Sequence, residues 1–130
     1  MPLNNKPSRP GEGTAPLVNS PVTHAKYKLS GADQYNSAIT LASGSANASV
    51  IHQCSSTALD EIYLWCGNYG SADAKLYVSV GDDTCVISSI SKEAGLVQIL
   101  PGVPHQGISI TAHADTASCL RVMGYVARHY

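Results

Sequence analysis

Leu76, Val78 and Val80 alternate with Lys75, Tyr77 and Ser79 along residues 73–80. That period of two puts successive side chains on opposite faces of a β-strand. Ile108, Ile110 and Ala112 repeat the pattern, as do Leu120, Val122 and Val126. Ile62, Leu64 and Cys66 share one face of the stretch 60–66 and leave Tyr63 and Trp65 on the other. The same reading places strands at 24–30, 35–42, 48–54, 60–66, 73–80, 84–90, 95–100, 107–113 and 118–127. Turn-forming stretches separate them: GSAN, GNYGSA, GDD, PGVPHQ and HADTA. Strands recurring about every ten residues, with no helical period between them, predict an all-β chain. An antiparallel β-sandwich of jelly-roll or Ig-like type is the expected architecture.

Two local expectations follow. GNYGSA is expected to reverse the chain as a hairpin between 60–66 and 73–80, with its glycines at positive φ and Asn68 tolerating it. On the last strand, Arg121, Met123 and Tyr125 occupy the face opposite the core. That face is too apolar to be left in water, which marks it as a contact between subunits.

The alternation begins only after a boundary near residue 22. Pro2, Pro7, Pro10, Pro16 and Pro21 precede it, mixed with Gly11, Gly13, Asn4 and Asn5. Proline fixes φ and removes a donor, so residues 1–22 can form neither a helix nor a central strand. They are expected to be an extended N-terminal arm that orders against another molecule, ahead of a sandwich domain over 23–130. Lys6, Arg9, Leu17 and Val18 are the expected contact residues of the arm.

Composition adjusts this picture. The chain is 130 residues, 44% apolar and only 13% charged, enough for one domain with a core of its own. Its net charge is −1, so the whole molecule is no electrostatic partner for nucleic acid or an acidic membrane. Lys6, Arg9, Lys26 and Lys28 against Glu12 give +3 over residues 1–28 and leave −4 on the remainder. No stretch has the apolar length of a membrane span or of a secretory leader. Cys54, Cys66, Cys85 and Cys119 form no C-x-x-C pair and are expected to be buried free thiols, with one or two bridges as the alternative in an oxidising medium, where the spacing chooses no pairing.

Candidate chemistry is sparse. A nucleophilic Cys66 would need a histidine or a helix N-terminus beside it, and the sequence offers neither locally. His24, His52, His105, His113 and His129 make no short metal-binding spacing. His113-Ala114-Asp115 reads as a turn, and Asp82-Asp83 as an acidic β-turn without the ladder of ligands that calcium wants. No phosphate cradle or nucleophile elbow is present. The reading is therefore of a chain that is not an enzyme and carries no cofactor or metal.

The text IYLWCGNYGSADAKLYVSVGDD resembles a recurring strand, Asn-x-Gly-Ser-Ala-Asp-Ala, strand pattern in small β-sandwich structural proteins of tailed-bacteriophage virions. LPGVPHQGISITAHADTASCLRVMGYVARHY fits the Pro-Gly loop, G-I-S-I strand and Gly-Tyr closing strand that follow it there. The resemblance spans residues 59–127 and, more loosely, 24–58, with the arm outside it. It implies a capsid decoration (cement) protein located in the virion and assembled in the host cytoplasm. Its implied partners are the major capsid protein and further copies of itself, as a homotrimer. Two rival readings accompany it. One is a tail or head–tail connector part of the same virion. The other is a carbohydrate- or receptor-binding module using tyrosines such as Tyr69 and Tyr77.

Overall fold

A computed structural model describes residues 24–35 and 37–130. The arm, with Lys6, Arg9, Leu17 and Val18, lies outside the described residues. These form nine strands: β1 (His24–Lys28), β2 (Ile39–Thr40), β3 (Ser49–Gln53), β4 (Leu59–Asn68), β5 (Ala74–Val80), β6 (Asp83–Ile90), β7 (Val97–His105), β8 (Ser109–Ala114) and β9 (Leu120–His129). Among the described residues there is no α-helix, only a 3-10 turn at Ser45–Asn47. Each expected strand is present, at altered bounds.

Two antiparallel sheets pack together as a β-sandwich. Sheet A has the order β1-β9-β4-β7, with β2 also on β9; sheet B has the order β3-β8-β5-β6. The alternation explains the core. Leu64, Leu120 and Val122 of sheet A and Ile51, Leu76 and Ile110 of sheet B are each at or below 1% exposure and belong to one cluster. Every such side chain removed from water contributes about 1.5–3 kcal/mol.

Three expectations change. The GNYGSA stretch is not a hairpin, because β4 pairs with β7 and β9 in sheet A while β5 pairs with β6 and β8 in sheet B. The segment between them is an arch from one sheet to the other. Neither Gly67, Gly70 nor Asn68 has positive φ. Asn68 holds the arch by its side chain: Nδ2 donates to the Ala72 and Ile90 carbonyls at 2.9 and 2.8 Å, and Oδ1 accepts from Gly70 N–H at 2.8 Å. Gly70 is small because a Cβ there would meet Cys119 Sγ at 2.6 Å. The true hairpin is β5–β6, whose two-residue turn begins with Gly81 at φ +60°.

PGVPHQ is mostly strand rather than turn. β7 runs through Pro101 and Pro104 to His105, which its position at the sheet edge permits. Gly102, at φ +93°, is the unpaired residue at one of the two places where the β4–β7 register shifts. Finally, His113 lies within β8 and not in a turn.

Gly124 is the tightest point of sheet A. A Cβ there would sit 1.9 Å from the Tyr63 carbonyl oxygen and 3.1 Å from Leu64 Cα, both backbone atoms. Gly124→Ala is therefore expected to destabilise the fold by about 3 kcal/mol through overpacking. Urea unfolding checks this: the midpoint should fall with the slope unchanged, and a wild-type midpoint would contradict it.

Candidate functional site

Two places gather polar or aromatic side chains. The first is buried between the sheets. Asp60 is in phase with Ile62, Leu64 and Cys66 on the inward face of β4 and is fully buried. Arg128 on β9 is its register partner; Nε donates to Oδ1 at 2.7 Å and Nη2 to Oδ2 at 3.1 Å. His52, 2% exposed on β3 of the opposite sheet, puts Nε2 2.8 Å from Oδ2. Ser55 N–H donates to the same oxygen at 3.0 Å. The Tyr27 ring closes the outer side, 4.5 Å from the Arg128 guanidinium.

Burial alone would raise the Asp60 pKa. The donors from Arg128, His52 and Ser55 outweigh it and bring the group down to about 2. Asp60 in turn raises the pKa of Arg128. The carboxylate is thus a fixed anion neutralised by a cation and linked to the other sheet through His52.

His52, Cys54 and Asp60 each offer a ligand atom within 4.8 Å of the others. The donor set does not suit a cation. His52 Nδ1 accepts from Ser30 N–H at 3.1 Å, so Nε2 carries the ring proton and its N–H donates to Asp60 Oδ2. Burial, aided by the Asp60 charge, pushes the Cys54 thiol up to about 11, which keeps it protonated at neutral pH. Both Asp60 oxygens are already bonded. This centre is a tie between sheets.

The thiols follow the same logic. Cys54 and Cys66 are buried, and burial pushes Cys66 up to about 11 as well, so it is no nucleophile. Cys119 is half-buried. Cys85 corrects the expectation of buried thiols: it is exposed on β6, in the β5–β6 register shift between Val86 and Thr84.

The second place is the outer face of sheet A. Arg121, Met123 and Tyr125 do project there together. Tyr125 stacks on Tyr63 at 4.8 Å and 10° and lies 6.2 Å from Trp65. Trp65, Leu96, Met123, Gly124 and Tyr125 line a shallow cleft of about 270 Å³. Lys26 Nζ sits 5.5 Å over the Tyr125 ring and Arg121 4.6 Å over Tyr69, contacts worth about 0.5–1 kcal/mol each at exposed positions. Glu61 pairs with His129 at 3.1 Å, and its charge raises the Tyr63 pKa.

Tyr69 and Tyr77 are not brought together. Tyr77 is on sheet B, stacked on His113 at 4.7 Å and 3°, while Tyr69 belongs with Arg121. No family model matches this chain, and no curated protein is similar to it.

Sequence reasoning missed Asp60 and Arg128, although the signal was present. Each falls on the inward phase of an otherwise apolar alternation, Asp60 with Ile62 and Leu64, Arg128 with Val122 and Val126. A charge on that phase has to be paired.

Because the folded pKa of Asp60 is below that of the unfolded chain, about 3.9, its contribution is complete above pH 4. It is lost as pH falls from about 4 through 2. Asp60→Asn is expected to cost about 3 kcal/mol at pH 7 by stranding Arg128, with the gap to wild type narrowing towards pH 2. Urea titrations at several pH values measure this; a gap independent of pH would contradict it. In a thiol-labelling time course on the native protein, Cys85 should react first and Cys54 and Cys66 only on unfolding.

Proposed function

We propose that this chain is a structural virion protein, a capsid decoration protein that binds the major capsid protein and associates with copies of itself. It works by surface contact and makes or breaks no bonds. The observation that carries this reading is the outer face of sheet A, where Tyr63, Trp65, Met123 and Tyr125 form a pre-stacked aromatic platform open to a partner. Aromatic residues and Met are the residue types enriched at interface cores, and stacked rings lose little further freedom on binding. The buried Asp60 centre supports the same reading, since its groups are spent on joining the sheets.

The finer fold we propose is a jelly roll. Strands β1-β9-β4-β7 face β3-β8-β5-β6, and the chain changes sheet at every step except β1 to β2 and β5 to β6. Jelly rolls recur in viral capsid and lectin domains; this supports the reading by analogy of fold only. On the sequence side the reading rests on the strand rhythm and turn residues of 59–127, which resemble those of small β-sandwich structural proteins of tailed-phage virions.

In this reading self-association uses the platform, while the arm, through Lys6, Arg9, Leu17 and Val18, tethers the domain to the shell. A tether multiplies modest contacts by raising effective concentration. A carbohydrate- or receptor-binding role is the second reading, favoured by the Trp65–Tyr125 cleft. A tail or connector part differs from a decoration protein by copy number, being present in far fewer copies per particle.

Co-sedimentation with purified shells tests the proposal. Deleting residues 1–21 should weaken shell binding at least about tenfold and leave the urea midpoint unchanged. Undiminished binding by the truncated chain would exclude the tether. Glycan binding abolished by Trp65→Ala, with no shell binding by the intact chain, would favour the second reading.

A further inference from the structure

The four outer strands of the two sheets are not alike. β1 carries Lys26 and Lys28, and β7 carries Pro101 and Pro104, residues that blunt an edge. On β3, Gly31 N–H donates to the Ile51 carbonyl at 3.0 Å, so the preceding loop covers that strand. β6 has neither lysine nor proline, is mostly exposed and shows Ile87 at 62%.

β6 of sheet B and β7 of sheet A stand apart at this side of the sandwich. The cleft between them has a volume of about 440 Å³ and apolar walls of Val80, Val86, Leu100 and Val103. His105 also lines it, and burial lowers its pKa, which keeps the ring neutral at pH 7. Asp83 contributes the negative charge of the lining, with Asp82 next to it in the turn. The outer face of sheet A has the opposite character. It presents stacked aromatic rings flanked by Lys26 and Arg121, two cations against the carboxylate of Glu61, which lies 3.1 Å from His129.

We propose that the outer face of sheet A on one copy receives the β6–β7 edge of the next, so that copies join head to tail and close into a ring. This rests on the self-association proposed above and names its counter-surface. Aromatic rings fit an apolar cleft, and lysines meet aspartates. Symmetric pairing is disfavoured on both sides. Face on face would bring the cations Lys26 and Arg121 of one copy over those of the other, and edge on edge would do the same with Asp82 and Asp83; like charges brought together cost several kcal/mol. Two different surfaces on one molecule give a heterologous contact, which makes a ring when the rotation closes.

A complementation experiment on the full chain tests this. Lys26→Glu with Met123→Glu disables the face; Asp83→Lys with Cys85→Lys disables the edge. Sedimentation equilibrium should show wild type as a closed oligomer and each variant as a 13.6 kDa monomer. An equimolar mixture of the two variants should give a species of twice that mass, joined by the one intact face and the one intact edge. Each variant should weaken self-association at least about 30-fold. Thermal melts establish that both are folded, and Lys26→Glu and Asp83→Lys alone are milder versions.

Monomeric variants whose mixture stays monomeric would overturn the head-to-tail contact. Loss of the oligomer in the face variant but not the edge variant would overturn this inference and leave self-association through the face standing. An oligomer intact in the face variant, or a monomeric wild type, would overturn both.

Discussion

The β4–β9 ladder is the constraint on which the rest of the molecule depends. It pairs ten residues without a register shift, from Leu59 opposite His129 to Asn68 opposite Leu120. One register sets Asp60 beside Arg128 on the buried side and Tyr63 beside Tyr125 on the exposed side. A slip of a single residue would turn the apolar set outwards and bury the aromatic one. Gly124 keeps the ladder close where it faces Leu64, and the Asp60–Arg128–His52 group fixes it at the end where the two sheets meet.

The division of labour between the two faces follows from this. The inward charges satisfy each other and carry the His52 link to sheet B. Their low dielectric surroundings make that pairing obligatory. The outward rings are held by stacking, by Lys26 over Tyr125 and by Glu61 beside Tyr63, and they stand half-covered. Charge is therefore spent inside, and the aromatic surface is left outside. That division underlies the proposal of a protein that works through surface fit.

Much of this was legible in the sequence because period-two alternation is a local signal. Leu76, Val78, Ile110, Val122 and Val126 turn inwards as the pattern requires, and Arg121, Met123 and Tyr125 turn outwards. What the pattern cannot encode is which sheet a strand joins. GNYGSA has the composition of a hairpin turn, yet the Asn68 side chain bonds to the Ile90 carbonyl 22 residues away. That long-range contact makes the stretch an arch. PGVPHQ misled for a related reason: proline weakens a strand in general, but an edge strand has a side with no ladder to lose. The Asp60 centre joins residues from β3, β4 and β9, and no spacing in one segment announces it.

Trp65 is the single tryptophan of the chain and stands on the platform itself, beside Tyr125. Its fluorescence, followed with acrylamide quenching as the free protein assembles with shells or with its own copies, reports most directly on whether that face is used. The account predicts a blue-shifted emission and reduced quenching as assembly proceeds. Emission and quenching unchanged in a fully assembled particle would contradict it.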